Sequence, residues 1–201
     1  LNGAHTSMVP VALLNGQTTV REAIETPLIE SFLNKVLFDE IMPTLPLPKE
    51  EIETFAAEVI ERFKNPFIKH YLMSISLNSM SKYRTRVLPS LTSYLDSEGQ
   101  LPKGLVAALA SYIVFYRGIY KDMIIETKDN PDILALYKNL WDNWDDSDLG
   151  LKHIVETVLG YEDNWQGDLN HIPGLTELVS SYVKIILESS IESLLKGSVI
   201  A

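Results

Sequence analysis

The sequence predicts an all-α fold: one multi-helix domain over residues 1–201. Three observations predict it. Apolar residues recur at helical spacing along most of the chain. Cap signals stand ahead of many of these stretches. Alternating strand-length runs joined by a tight hairpin turn are absent.

Leu1–Leu14 reads as a helix that runs into an Asn15-Gly16 turn. Thr18 and Thr19 are hydroxyl caps before the acidic turn of Arg21-Glu22, and Pro27 should break or kink the helix that follows. Pro43, Pro46 and Pro48 predict an extended linker. Lys49–Phe63 is the clearest amphipathic helix, with Ile52, Phe55, Ala56, Val59, Ile60 and Phe63 on one face. Asn65-Pro66 caps the next helix, which reaches Leu77. Ser81 is the predicted cap of a helix that Pro89 should kink, and Asp96–Gln100 reads as a loop. Leu105–Tyr120 is apolar nearly all round, the pattern of a buried central helix. Asn130-Pro131 opens a further helix, Leu149–Leu159 forms another, and Gly160–Pro173 is irregular. Leu175–Leu195 reads as a last amphipathic helix.

Composition removes several function classes. The formal net charge of −10 argues against general nucleic-acid binding, which needs a basic surface. No apolar run reaches the eighteen or so residues that span a bilayer, so no membrane partner is expected. With no cysteine there is no thiolate chemistry, which fits a reducing, cytoplasmic setting. The chain has no G-x-G-x-x-G, no Walker A loop, no H-E-x-x-H and no G-x-S-x-G. Its four histidines are scattered without metal-ligand spacing, so no metal is expected. Trp141, Trp144 and Trp165, with Tyr137, read as packing residues.

Two short stretches carry the candidate chemistry. Asn2 and His5 are spaced i, i+3, which puts both on one helix face about a turn apart. An amide donor beside an imidazole can polarise a carbonyl or hold an alkoxide. The stretch Ser81–Pro89 places Lys82, Arg84 and Arg86 within five residues of an otherwise acidic chain. Lys82 and Arg86, at i, i+4, share a face, and Arg84 points away from it. A guanidinium such as that of Arg86 can grip a carboxylate bidentately. Taken singly, the first stretch is an ordinary helix start and the second a solvated face. Together they read as two walls of one substrate site.

Three stretches carry a family resemblance. They are Asn2-Gly3-Ala4-His5-Thr6, Arg62-Phe63-Lys64-Asn65-Pro66-Phe67-Ile68-Lys69-His70 and Ser81-Lys82-Tyr83-Arg84-Thr85-Arg86-Val87-Leu88-Pro89. They resemble the C-terminal domain of the long-chain mannitol dehydrogenase family, and the second and third point to its uronate branch. The resemblance covers most of the chain and is less specific after Asp129. It implies an N-terminal nucleotide-binding domain of Rossmann type that precedes this one and holds most of the NAD contacts. It implies that Asn2 and His5 are the last two members of a Lys-x-x-x-x-Asn-x-x-His catalytic signature. The general-base lysine would then stand before Leu1, and this fragment alone would not turn over. It implies a small-molecule sugar acid as substrate, with Lys82 and Arg86 for the carboxylate and His70 lining the site. His70 reads equally as a packing residue on an apolar helix. A fructuronate-using or polyol-using member of the family, or a helical interaction module without catalysis, remains an alternative at this point.

Overall fold

The computed structural model describes residues 2–46, 48, 50, 51, 54 and 70–200. Helix α1 (Asn2–Leu14) ends in the expected turn, where Gly16 adopts φ +91°. Helix α2 (Val20–Glu25) opens with a full capping box between Thr19 and Glu22. Pro27 starts helix α3 (Pro27–Asn34), which continues as a π-helical segment over Lys35–Ile41 and a 3-10 turn over Met42–Thr44. Pro43 therefore belongs to a helical turn, and extended backbone begins only at Leu45, with ψ 132°. The amphipathic helix expected over Lys49–Phe63, apart from residues 50, 51 and 54, lies outside the described residues, as does the Asn65-Pro66 cap.

Helix α4 (Leu72–Ile75) is a single turn, and α5 (Ser79–Arg86) follows it. Ser81 does not cap α5. Asn78 stands at the N-cap position instead, in the left-handed region at φ 52° and without a side-chain cap hydrogen bond, which leaves Ser81 inside the helix. Pro89 does not kink α5 either. The backbone breaks at Val87 (φ −120°), and Pro89 sits in the first turn of α6 (Leu88–Glu98), where a proline loses no hydrogen bond. The expected loop at Asp96 is helical through Glu98, because Gly99 supplies the left-handed C-cap.

Helix α7 (Lys103–Phe115) is the buried centre, covered from Gly104 to Phe115. It packs against α1, α5 and the later helix α11. It is shorter than the apolar run suggested: Gly118 at φ +78° turns the chain into a small antiparallel hairpin of β1 (Ile119–Tyr120) and β2 (Met123–Ile124). Helix α8 (Pro131–Asp142) has the expected Asn130 cap, and α9 (Asp148–Leu159) is capped by Ser147. The irregular stretch contains the short α10 (Glu162–Trp165). The last long helix is broken: α11 (Leu175–Glu188) stops at Ser189, and Ser190 caps α12 (Ile191–Leu194). Among the described residues, no helix is long and apolar enough to cross a membrane.

Two buried polar contacts fix how α7 meets its neighbours. Pro10 lies inside α1 and has no N–H, so the Thr6 carbonyl loses its helical donor. The Tyr112 hydroxyl of α7 donates to that carbonyl at 2.7 Å. At the other end, Glu40 is 1% exposed, and its carboxylate accepts the N–H groups of Gly104 and Leu105, each at 2.8 Å. These are first-turn donors of α7, which no backbone carbonyl of its own can satisfy. Gly104 is required there: a Cβ would stand 2.7 Å from Val36 Cγ2 and 2.9 Å from Glu40 Oε2.

Candidate functional site

Helix α1 presents Asn2 and His5 from its first turns. Asn2 is exposed and His5 half-buried. Helix α5 presents Lys82 and Arg86 on one side, with Arg86 exposed as the last residue of the helix. The two helices meet where Gly3 faces the Arg86 carbonyl. A Cβ on Gly3 would lie 2.8 Å from that oxygen, so only glycine allows this approach. The walls read separately from the sequence are therefore adjacent in the fold.

His70 joins the same corner. It is exposed and stands just ahead of α4, not on an apolar helix. Its carbonyl accepts the Val20 N–H at 2.9 Å, which ties its backbone to the start of α2. Its ring meets that of His5 edge-on, with centroids 5.9 Å apart and planes at 76°. Arg84 goes elsewhere, as its phase on α5 required: it donates from Nη1 to the Asn164 carbonyl at 2.8 Å.

The electrostatics follow from this crowding. Burial first, then the neighbouring charges of His70, the N-terminal amine and Arg86, pull the His5 imidazole down to about 4. At neutral pH His5 is thus an uncharged ring that carries one N–H. Lys82 donates from Nζ to the Ile75 carbonyl at 2.9 Å, at the C-terminus of α4. Its proton affinity is lowered by burial and by Arg86, against the opposing pull of Asp129. An anion between Lys82 and Arg86 would relieve their mutual repulsion.

The His5 shift has a consequence for stability. The folded protein refuses a proton that the unfolded chain accepts at its ordinary value of 6.5. The unfolded state then binds more protons as pH falls, so stability falls from about pH 6.5 to about pH 4 and levels off below. The loss should reach roughly 2–3 kcal/mol at pH 4.5. Urea unfolding at pH 7 and 4.5 should show that much smaller a loss in His5→Gln than in the natural sequence. Equal losses in the two proteins would remove His5 as the source.

Sequence reasoning missed the residues beneath this surface. Asp129 accepts the Met80 N–H of α5 at 3.2 Å and also the Tyr116 hydroxyl. Its one local signal, the Asn130-Pro131 cap beside it, concerns α8 instead. A separate cavity of about 520 Å³ lies toward the far end of α1, lined by Leu13, Tyr71, Leu77, Met123 and Ile124 among others. It is mainly apolar and contains none of Asn2, His5, His70, Lys82 or Arg86. The residues predicted from the sequence sit on an open surface corner, outside that cavity.

Residues 1–187 match the family described as mannitol dehydrogenase C-terminal domain. An altronate oxidoreductase of Klebsiella pneumoniae (strain 342) is 46% identical over 187 residues, covering 93% of this chain and 39% of that protein. An altronate oxidoreductase of Escherichia coli O1:K1 is 44% identical over 188 residues, covering 94% of this chain and 39% of its own length. The chain therefore spans about two-fifths of these curated relatives. A solved ternary complex of Pseudomonas fluorescens mannitol 2-dehydrogenase with NAD and D-mannitol superposes with a TM-score of 0.82 at 19% identity, over 98% of this chain and 38% of that one. A substrate-free D-sorbitol dehydrogenase gives 0.78 at 24% identity, over 97% and 38%. At these identities the two structures speak to the fold alone.

Proposed function

We propose, from the premise that this chain belongs to the mannitol dehydrogenase C-terminal domain family, that it is the helical substrate domain of an NAD-dependent sugar-acid oxidoreductase. The reaction we assign is the interconversion of D-altronate and D-tagaturonate, as a tagaturonate reductase. The observation that carries this reading is the seating of Gly3 against the Arg86 carbonyl. It brings a pair of oxygen-stabilising donors beside a pair of cations, as a keto acid requires. The names of the two altronate oxidoreductases quoted above support the choice of substrate.

This chain has no glycine-rich phosphate loop of the kind that cradles a dinucleotide. NAD supplies hydride chemistry when bound, and we assign its binding to an N-terminal domain. In our reading Asn2 donates its amide N–H to the substrate oxygen that carries negative charge in the transition state. His5, neutral, donates a second hydrogen bond to that oxygen or its neighbour and orients the sugar. The proton itself moves to or from a lysine five residues ahead of Asn2. Arg86 and Lys82 hold the carboxylate at the far end of the chain of carbons, and His70 closes the side of the site. The exposure of Asn2, His70 and Arg86 suits a surface that a second domain covers.

The test is NADH consumption by the full-length protein with tagaturonate, fructuronate and fructose offered separately. Fastest turnover of tagaturonate supports the assignment. Preference for fructuronate would move the specificity within the sugar acids, and no turnover of any of the three would leave only a helical module. Arg86→Ala should raise KM for the sugar acid at least tenfold, the loss of roughly one charged hydrogen bond. KM for neutral fructose, if it is turned over, should change by less than about twofold, because fructose has no carboxylate to hold. Equal rises for both substrates would mean that Arg86 shapes the site without reading the carboxylate.

A further inference from the structure

Helix α5 begins without a cap of its own. Asn78 enters it in the left-handed region and makes no side-chain cap hydrogen bond. The early N–H of Met80 is accepted instead by Asp129 Oδ2 at 3.2 Å, from 49 residues downstream. The adjoining strand of chain is tied at a second point, where the Asn78 N–H donates to the Lys128 carbonyl at 3.1 Å. Asp129 is itself held on both oxygens. The Asn130 N–H donates to Oδ1 at 2.7 Å, and the Tyr116 hydroxyl donates to Oδ2. Tyr116 is 4% exposed and stacks on Tyr137 with centroids 4.6 Å apart, so its hydroxyl has little freedom to leave. A carboxylate at a helix N-terminus also complements the helix dipole.

We infer that Asp129, gripped by Tyr116, is a positioning residue of the cationic wall: it fixes the start of α5 and so the direction in which Lys82 and Arg86 stand toward the substrate. Asp129 touches no reacting atom in this arrangement. Its charge also works on Lys82, where it counters the loss of proton affinity caused by burial and by Arg86. Burial and the Asp129 carboxylate push the Tyr116 hydroxyl well above its ordinary range, so Tyr116 remains a donor at every working pH. The inference rests on the reading of Lys82 and Arg86 as a carboxylate clamp.

The experiment uses the full-length enzyme with Asp129→Ala, Asp129→Asn and Tyr116→Phe, each assayed with tagaturonate and with fructose against the natural sequence and Arg86→Ala. Asp129→Ala should raise KM for the sugar acid about tenfold or more, with kcat within about threefold. Asp129→Asn keeps a carbonyl acceptor for the Met80 N–H and the Tyr116 hydroxyl, and should recover most of that loss. Tyr116→Phe should fall between them. A fall in kcat with unchanged KM in Asp129→Ala would show only a poorly folded fraction and would overturn the inference. So would an unchanged KM in a fully active Asp129→Ala whose Arg86→Ala counterpart shows the tenfold rise. If Arg86→Ala leaves KM for the sugar acid unchanged, the clamp reading itself fails, and this inference with it.

Discussion

Asn2→Ala in the full-length enzyme is expected to lower kcat for tagaturonate reduction about 10²–10³-fold, the usual cost of removing one oxyanion donor. KM should move little, because the hydrogen bond strengthens as charge develops on the oxygen and contributes less to the ground state. The fold should survive. Asn2 is exposed at the first turn of α1, and the contact that steadies this turn is made by its backbone: the Thr6 hydroxyl donates to the Asn2 carbonyl at 2.8 Å. Asn2→Asp keeps the shape but offers an acceptor where a donor is needed, so it should lose at least as much. Steady-state NADH oxidation measures both. A loss in kcat of less than about fivefold in Asn2→Ala would place the side chain away from the reacting oxygen.

Glu40→Ala should give the largest loss of stability, about 3 kcal/mol, because it orphans two buried first-turn N–H groups of α7 at once. In a chain of this size that corresponds to a fall in Tm of about 10 °C. Glu40→Gln retains one acceptor oxygen and turns an NH₂ group toward the other N–H, so an intermediate loss is expected. The carboxyl is pushed up by burial and pulled back by the two N–H donors, with burial the larger effect. Its folded value therefore lies above the unfolded one, and the stability tied to that difference is lost as pH rises through the folded value. Calorimetric unfolding of the three proteins checks the order. An unchanged Tm in Glu40→Ala would mean that the Gly104 and Leu105 N–H groups find other acceptors.

What could be read in advance was local. The capping box at Thr19 and Glu22, the Asn130-Pro131 start of α8 and the all-round burial of α7 each depend on residues within a turn or two. The pairs Asn2 with His5 and Lys82 with Arg86 were visible for the same reason: helical spacing puts them on one face. The misreadings arose where the deciding partner is distant. Ser81 reads as a cap until Asp129 is known to serve that end of α5. Nothing near Glu40 announces that it will cap a helix 64 residues further on. The apolar run reads past the end of α7 because the chain turns there by a backbone angle, φ +78° at Gly118. That the two walls touch depends on the missing Cβ of Gly3, and spacing along the sequence does not encode it.

Tyr112 and Tyr116 stand four residues apart on and just beyond α7, and each hydroxyl holds a different helix: the first the proline turn of α1, the second the aspartate that starts α5. Both walls are thus tied to points one turn apart on a single buried stretch. On the proposed reading of the site, this separates residues that grip the substrate from residues that hold the walls in place. The proposed gripping residues Asn2, His70 and Arg86 are exposed. Tyr112 and Tyr116 are sunk in the core, where a substitution would shift a helix rather than remove one contact.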